Sequence, residues 1–211
     1  MAHGPDTDEL LRRIRECYGV KLDVSDLNIT SIPSLPNTLK RLHCGHINIA
    51  ELPPLPDTLE SLYCNNTNIR ELPPLPDTLK FLSCSYTNIR DLPPLPSTLT
   101  MLRCDNTNIT ELPPLPDTLK GISCSRTNIT ELPPLPPTLK WLNVSESPLI
   151  LQRKESESTQ VYNTRWEEWR EKKRIQGRCR AVRDDLLAAA LHPKRIERLI
   201  DEYGIEILDG M

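Results

Sequence analysis

Apolar residues recur along this chain with a period of 20 residues. From residue 39 onward the unit reads L-K-x-L-x-C-x-x-T-N-I-x-E-L-P-P-L-P-D-T, with Leu39, Leu59, Leu79, Leu99, Leu119 and Leu139 in its first slot. A degraded copy precedes them, carried by Leu22, Val24, Leu27, Asn28, Ile29, Ile32, Pro33, Leu35 and Pro36. Each unit is long enough for one strand and a return segment. It is too short to bury its own apolar face, so neighbours must stack. The pattern predicts a solenoid of about seven repeats over residues 20–147. The Asp-Thr or Ser-Thr pair before each strand reads as a turn. Solenoids of this kind are mostly binding surfaces.

The ends break the period and predict caps. Asp6 and Thr7 supply N-cap chemistry, and Leu10, Leu11, Ile14, Cys17 and Tyr18 form a helical stripe that Gly19 stops, so residues 1–19 read as a capping helix. Residues 148–160 form a polar, serine-rich connector. Residues 161–211 read as helical, with Trp166 and Trp169 on one face and Ile175, Cys179, Val182 and Leu186 following at helical spacing. His192-Pro193 breaks the run, because the residue before proline avoids α geometry. A last short helix carries Ile196, Leu199, Ile200 and Tyr203, and Ile205, Ile207 and Leu208 form an apolar tail. This segment is either the second cap or a module that recruits a protein.

Five of the seven cysteines, Cys44, Cys64, Cys84, Cys104 and Cys124, share one phase, and Val24 and Val144 fill the same slot in the terminal copies. Exchange with Val marks a small buried apolar position, a role free Cys fills. A column with one thiol per coil, stacked at about the 4.8 Å spacing of strands, cannot converge on a metal ion and is poorly oriented for disulfides. The expectation is a buried, reduced ladder.

The L-x-x-L-x-C-x-x-T-x-I core of the unit resembles the leucine-rich-repeat strand signature L-x-x-L-x-L-x-x-N-x-L, with Cys in the third apolar slot. The x-x-L-P-P-L-P that follows is similar to the short bacterial subclass with an L-P-x-L-P return, known from secreted effectors of pathogens. The resemblance covers roughly 130 of the 211 residues. It implies an α/β repeat solenoid: a leucine-rich-repeat arc with a parallel concave β-sheet, an extended, polyproline-like convex side, an N-terminal capping helix and a C-terminal helical segment. The usual ladder Asn is Thr67, Thr87, Thr107 and Thr127 here, with Asn48, Asn68, Asn88, Asn108 and Asn128 one place later. Thr hydroxyls and Asn amides are expected to share the work of satisfying the turn's buried backbone groups. The tail A-A-A-L-H-P-K-R-I-E-R-L-I-D-E-Y-G resembles the C-terminal ends of repeat and F-box-like proteins of large DNA viruses.

In such a strand, positions 2, 3, 5, 7 and 8 of the unit face the concave solvent side. Those columns vary while the frame stays fixed. They carry Arg41, His43, Tyr63, Phe81, Tyr86, Met101, Arg103, Arg126 and Trp141, and aromatic, Met and Arg side chains are the types favoured where proteins bind. These nine are the candidate partner-binding residues.

Charge and composition then narrow the function. The formal net charge of −3 does not make the whole chain an electrostatic trap for nucleic acid or membranes. Residues 165–183 hold eight basic residues against three acidic ones, read as a solvated helix face with pairing such as Glu168 with Lys172. The acidic N-terminus has no apolar core of a secretory signal and no stretch approaches transmembrane length, so the expected location is cytoplasmic, a host cytoplasm included. There is no phosphate loop or hydrolase elbow. His43 and His46 lack a Cys or carboxylate partner in the pattern, and Cys104-Asp105 belongs to the repeat. Some bacterial relatives of the repeat carry a large ubiquitin-ligase domain with a nucleophilic Cys. Here about 50 residues follow the connector and their one thiol is Cys179, in R-C-R-A. No enzyme activity, cofactor or metal is expected. The expected function is a non-enzymatic module binding a protein on the concave face. The alternatives are an adaptor whose C-terminal helices recruit a second protein, or a degenerate effector ligase.

Overall fold

The computed structural model describes residues 6–17, 19–149 and 158–189. Its contacts divide the chain into two units, Met1–Tyr162 and Asn163–Met211. The first contains α1 (Thr7–Glu16) and seven three-residue strands: β1 (Lys21–Asp23), β2 (Arg41–His43), β3 (Ser61–Tyr63), β4 (Phe81–Ser83), β5 (Met101–Arg103), β6 (Gly121–Ser123) and β7 (Trp141–Asn143). They form one parallel sheet in sequence order, and every register is offset by one repeat, as in Leu42 beside Leu62 and Leu62 beside Leu82. The L-P-P-L-P returns carry neither helix nor strand, in keeping with proline's missing N–H and fixed φ. The result is a leucine-rich-repeat arc.

The core is a set of one-residue-per-coil columns. Leu39, Leu59, Leu79, Leu99 and Leu119 are fully buried, as are Leu42, Leu62, Leu82, Leu102 and Ile122, and Ile49, Ile69, Ile89, Ile109 and Ile129. Burying each such side chain contributes about 1.5–3 kcal/mol. The cysteine column is fully buried too, and all five thiols are free. Cys44, Cys64, Cys84 and Cys104 each donate Sγ–H to a carbonyl of the next strand, at 3.4–3.5 Å, a contact that Leu in this slot could not make.

Two columns of threonine brace the frame, one closing the turn within each coil and the other tying each coil to the one before it. Thr67, Thr87, Thr107 and Thr127 are buried, and their hydroxyls donate to the carbonyls of Cys64, Cys84, Cys104 and Cys124 at 2.7–2.9 Å. The Asn amides were expected to share this work, and they do not. Asn48, Asn68, Asn88, Asn108 and Asn128 are exposed, and it is the backbone N–H groups of the last four that tie coils, as from Asn88 to the Ile69 carbonyl at 3.0 Å. The turn threonines do more than turn. Thr58 Oγ1 lies 2.8 Å from both the Asn37 and Leu39 carbonyls of the preceding coil, and Thr78, Thr98, Thr118 and Thr138 repeat the contact.

At the front, α1 packs on β1 with Leu10 buried, but Leu11 is 44% exposed and lies off the apolar stripe. Asp6 stands at the N-cap position without capping the helix. Its carboxylate accepts the Asn28 N–H at 2.6 Å instead, fastening the helix start to the first coil. Tyr18 lies outside the described residues. Gly19 adopts φ +69°, and a Cβ there would fall 1.9 Å from Thr38 Oγ1, so both backbone and space require glycine.

The long helix α2 (Thr159–Ala189) begins just before the expected helical segment. Tyr162 is fully buried and Trp166 largely so, while Val161 and Ile175 are exposed. Arg170 sits 4.9 Å from the Trp166 ring centroid and Lys173 4.8 Å from that of Trp169. Glu171 pairs with Arg174 at 2.7 Å, and the expected pairing of Glu168 with Lys172 does not form. The side chains of Cys179, Val182 and Leu186, the break at His192-Pro193, the last helix and the tail lie outside the described residues.

Candidate binding surface

Each strand exits through a residue in the left-handed region at unit position 8: Asp26, His46, Asn66, Tyr86, Asn106, Arg126 and Glu146 all have φ between 52° and 64°. Asp, Asn and His tolerate that conformation. Tyr86, Arg126 and Glu146 hold it at a cost of about 1 kcal/mol or more each. The turn projects these side chains along the rim of the strands, where Tyr86 is 56% exposed. Arg126 and Glu146 pair across neighbouring coils at 3.0 Å, which raises the Arg126 pKa and lowers that of Glu146.

The strands' outward side chains build an apolar ridge across the sheet. His43 packs on Tyr63 with ring centroids 4.2 Å apart, and Tyr63 stacks on Phe81 at 4.5 Å with a 26° angle between planes. Met101 follows beside Phe81 in register. A Cβ on Gly121 would fall 2.7 Å from Met101 Cε and 3.4 Å from the Trp141 ring, so glycine leaves room for both side chains to close over β6. Trp141 ends the ridge, 44% exposed. Burial lowers the His43 pKa, helped by the Lys21 and Arg41 charges and opposed by Asp23, so the ring presents its neutral form near neutral pH.

Beside the ridge lies an open groove of about 500 Å³, lined by Tyr63, Phe81, Tyr86, Arg103, Arg126 and Asp105 among others. It brings five of the nine predicted residues together. Arg41, His43, Met101 and Trp141 lie outside its lining, on the strands that flank or continue it. Arg103 is exposed, and no carboxylate pairs with it among the described residues. The position-7 residue Asp105, which the sequence assigns to the repeat together with Cys104, is a further member of this lining. Its carboxylate accepts from Ser125 N–H at 2.9 Å, from Ser125 Oγ at 2.7 Å, from Ser85 Oγ at 3.3 Å and from Ser123 Oγ. Burial alone would raise its pKa, but these hydrogen bonds outweigh burial and hold it below the ordinary carboxylate value. Its signal was present: it is the one charged residue in a column of Ser25, Gly45, Asn65, Ser85, Ser125 and Ser145.

Not every outward slot is open. Ser83, Ser85, Gly121 and Ser123 are buried under larger neighbours, so the strip is carried by fewer columns than strand alternation implies. The thiols offer no reactive group at this surface. Burial raises the Cys44 and Cys84 pKa values to about 12, and Cys64 and Cys104 shift the same way. No group of three metal-ligating side chains occurs among the described residues.

Parallel coils, a leucine frame and a varied outward strip define a leucine-rich-repeat interaction solenoid. The chain is similar to the structure of a Shigella effector leucine-rich-repeat domain, 31% identical with a TM-score of 0.68, over 74% of this chain and 72% of that one. It belongs to that family of effector leucine-rich-repeat domains. It also resembles YopM from Yersinia enterocolitica WA-314, 35% identical with a TM-score of 0.63, over 66% of this chain. It spans 32% of that YopM's length. The functional domain of InlJ from Listeria monocytogenes, which includes a cysteine ladder, shares the fold at 24% identity and a TM-score of 0.52, over 68% of this chain and 35% of that one. No protein-family model matches the chain, and no curated protein matches it. These neighbours are bacterial, and the resemblance of the C-terminal tail to viral proteins has no counterpart among them.

Proposed function

We propose that this protein is a non-enzymatic module that grips one protein partner on the concave sheet, in the manner of an effector acting in a host cytoplasm. The observation that carries the reading is the stacked ridge His43–Tyr63–Phe81 facing an exposed Tyr86 held in a strained conformation. Every coil takes this turn, so the geometry belongs to the repeat; a large exposed ring in a slot that the neighbouring coils fill with Asn is what a contact made by the ring would explain. Arg103, Arg126, Met101 and Trp141 extend the patch, and Arg41 marks its front edge. A rigid sheet needs no ordering on binding, so a few such anchors suffice. No described helix is long and apolar enough to cross a membrane.

A second reading, an adaptor, rests on α2, whose Val161 and Ile175 are exposed. Capture from a host-cell lysate separates the two. The comparison is between wild type, the Tyr63, Phe81, Tyr86 and Trp141 alanine variant, and a chain ending after residue 162. Loss of capture in the alanine variant alone supports the concave face. Loss in the truncated chain alone, with circular dichroism unchanged, overturns it in favour of the adaptor.

A further inference from the structure

The two ends of the sheet differ. At the front, α1 lies against β1, and the Arg13 guanidinium donates to the Asp23 carbonyl at 2.9 Å. At the back, β7 is the last strand. In β2 to β6 the N–H groups at unit positions 6 and 8 donate to the following coil, as from Cys124 to the Asn143 carbonyl at 2.9 Å and from Arg126 to the Ser145 carbonyl at 3.0 Å. The equivalent N–H groups of Val144 and Glu146 have no partner among the described residues. The Lys140 carbonyl accepts nothing among them either, although Lys120 at the same position accepts from both Lys140 and Trp141. Leu142 and Val144 are half-buried, while the same two slots in β2 to β6 are fully buried.

Free donors, a free acceptor and an incompletely covered apolar slot make a template for one more strand. We propose that this edge pairs with the same edge of a second copy, β7 antiparallel to β7, about a twofold axis through Asn143. Three observations select a second copy. Since α1 closes the front of the sheet, head-to-tail stacking is blocked; a self-contact must be isologous and stops at a dimer. Leu142 and Val144 oppose one another in this register, as a hydrogen-bonded antiparallel pair requires, while Glu146 lies past the strand in the left-handed turn. Leu142 then meets Val144 of the second copy, so apolar faces apolar, and the Lys140 and Glu146 side chains flank that pair with opposite charges. The Glu146 carboxylate, already held by Arg126 at 3.0 Å, would sit between two cations.

The test is the mass of the full chain by analytical ultracentrifugation from about 10 µM to about 500 µM, the range in which a small edge-on contact populates a dimer. Wild type should move from one chain toward two. Val144→Pro removes an outward N–H that no other described group uses, so it should stay at one chain with unchanged circular dichroism. Lys140→Glu and Glu146→Lys should each weaken the dimer about fivefold, and the double variant should restore it, since each pairing then has opposite signs again. A wild-type mass of one chain across the range overturns the proposal. So does a folded Val144→Pro variant that associates as wild type does, or a double variant no better than the single ones.

Discussion

The rings of Tyr63 and Phe81 stack at 4.5 Å although they belong to different coils and different unit positions. Tyr63 is at position 5 of β3 and Phe81 at position 3 of β4, so the contact runs diagonally across the sheet. It converts two half-buried side chains into one apolar surface continuous with His43. Such pairs contribute about 0.5–1.5 kcal/mol beyond the area they bury. Phe81→Ala should therefore lower stability by about 1–2 kcal/mol in a denaturant titration. Loss of partner capture should be larger, at least about tenfold in dissociation constant, because the anchor and its neighbour's support vanish together. A change in stability with undiminished capture would remove Phe81 from the binding surface.

Tyr86 offers the opposite sign. At φ 58° it occupies the slot that Asn66 and Asn106 fill with less strain. Tyr86→Asn should raise stability by about 0.5–1 kcal/mol, since Asn tolerates the left-handed region and the exposed ring contributes little to the core. The same change should weaken partner capture. A thermal melt beside a capture assay reads both. A stabilised variant that binds as well as wild type would mean that Tyr86 is drift rather than an anchor.

The frame was legible because it is periodic: the Leu, Cys and Ile columns mark the core, and one 20-residue offset sets every strand register. What the sequence hid depends on neighbours rather than on period. Ser83 and Ser123 share a column with the exposed Arg103, and only the size of adjacent side chains decides which is covered. The Asn column looks like the conserved polar ladder of such repeats, yet the hydroxyl one place earlier is shorter, sits inside the turn and takes the buried carbonyl. Asp6 reads as a helix cap from its position, but the Asn28 N–H of the first coil captures its carboxylate. Asp105 needed three serines from coils on either side before its role appeared.

Gly19 joins the capping helix to the first coil, and its two constraints can be separated. Gly19→Ala should cost about 1–2 kcal/mol for the left-handed backbone alone, and more because the methyl would meet Thr38 Oγ1. Gly19→Ala with Thr38→Gly removes the clash and leaves the backbone cost, so it should recover part of the loss. Full recovery in urea titrations would show that the close approach, not the positive φ, is what requires glycine.

The thiol column gives the protein an alkaline limit. In the unfolded chain a thiol titrates near its ordinary value of about 8.5. Burial in the fold raises Cys44 and Cys84 to about 12, with Cys64 and Cys104 shifted in the same direction. Folded-state values above the unfolded one mean that the native chain binds more protons in that window. Stability is then complete below about pH 8.5 and falls as pH rises toward 12, by about 1.4 kcal/mol per pH unit for each thiol involved. Melting temperature should be flat from pH 6 to about 8 and drop steeply above about 9. Cys64→Val with Cys84→Val should flatten the drop, since Val24 and Val144 show that the slot accepts valine. A thiol reagent at pH 8 should leave the ladder unmodified until the chain is unfolded. Rapid native-state modification of Cys64 or Cys84 would mean that the column opens to solvent and that its burial does not govern the alkaline limit.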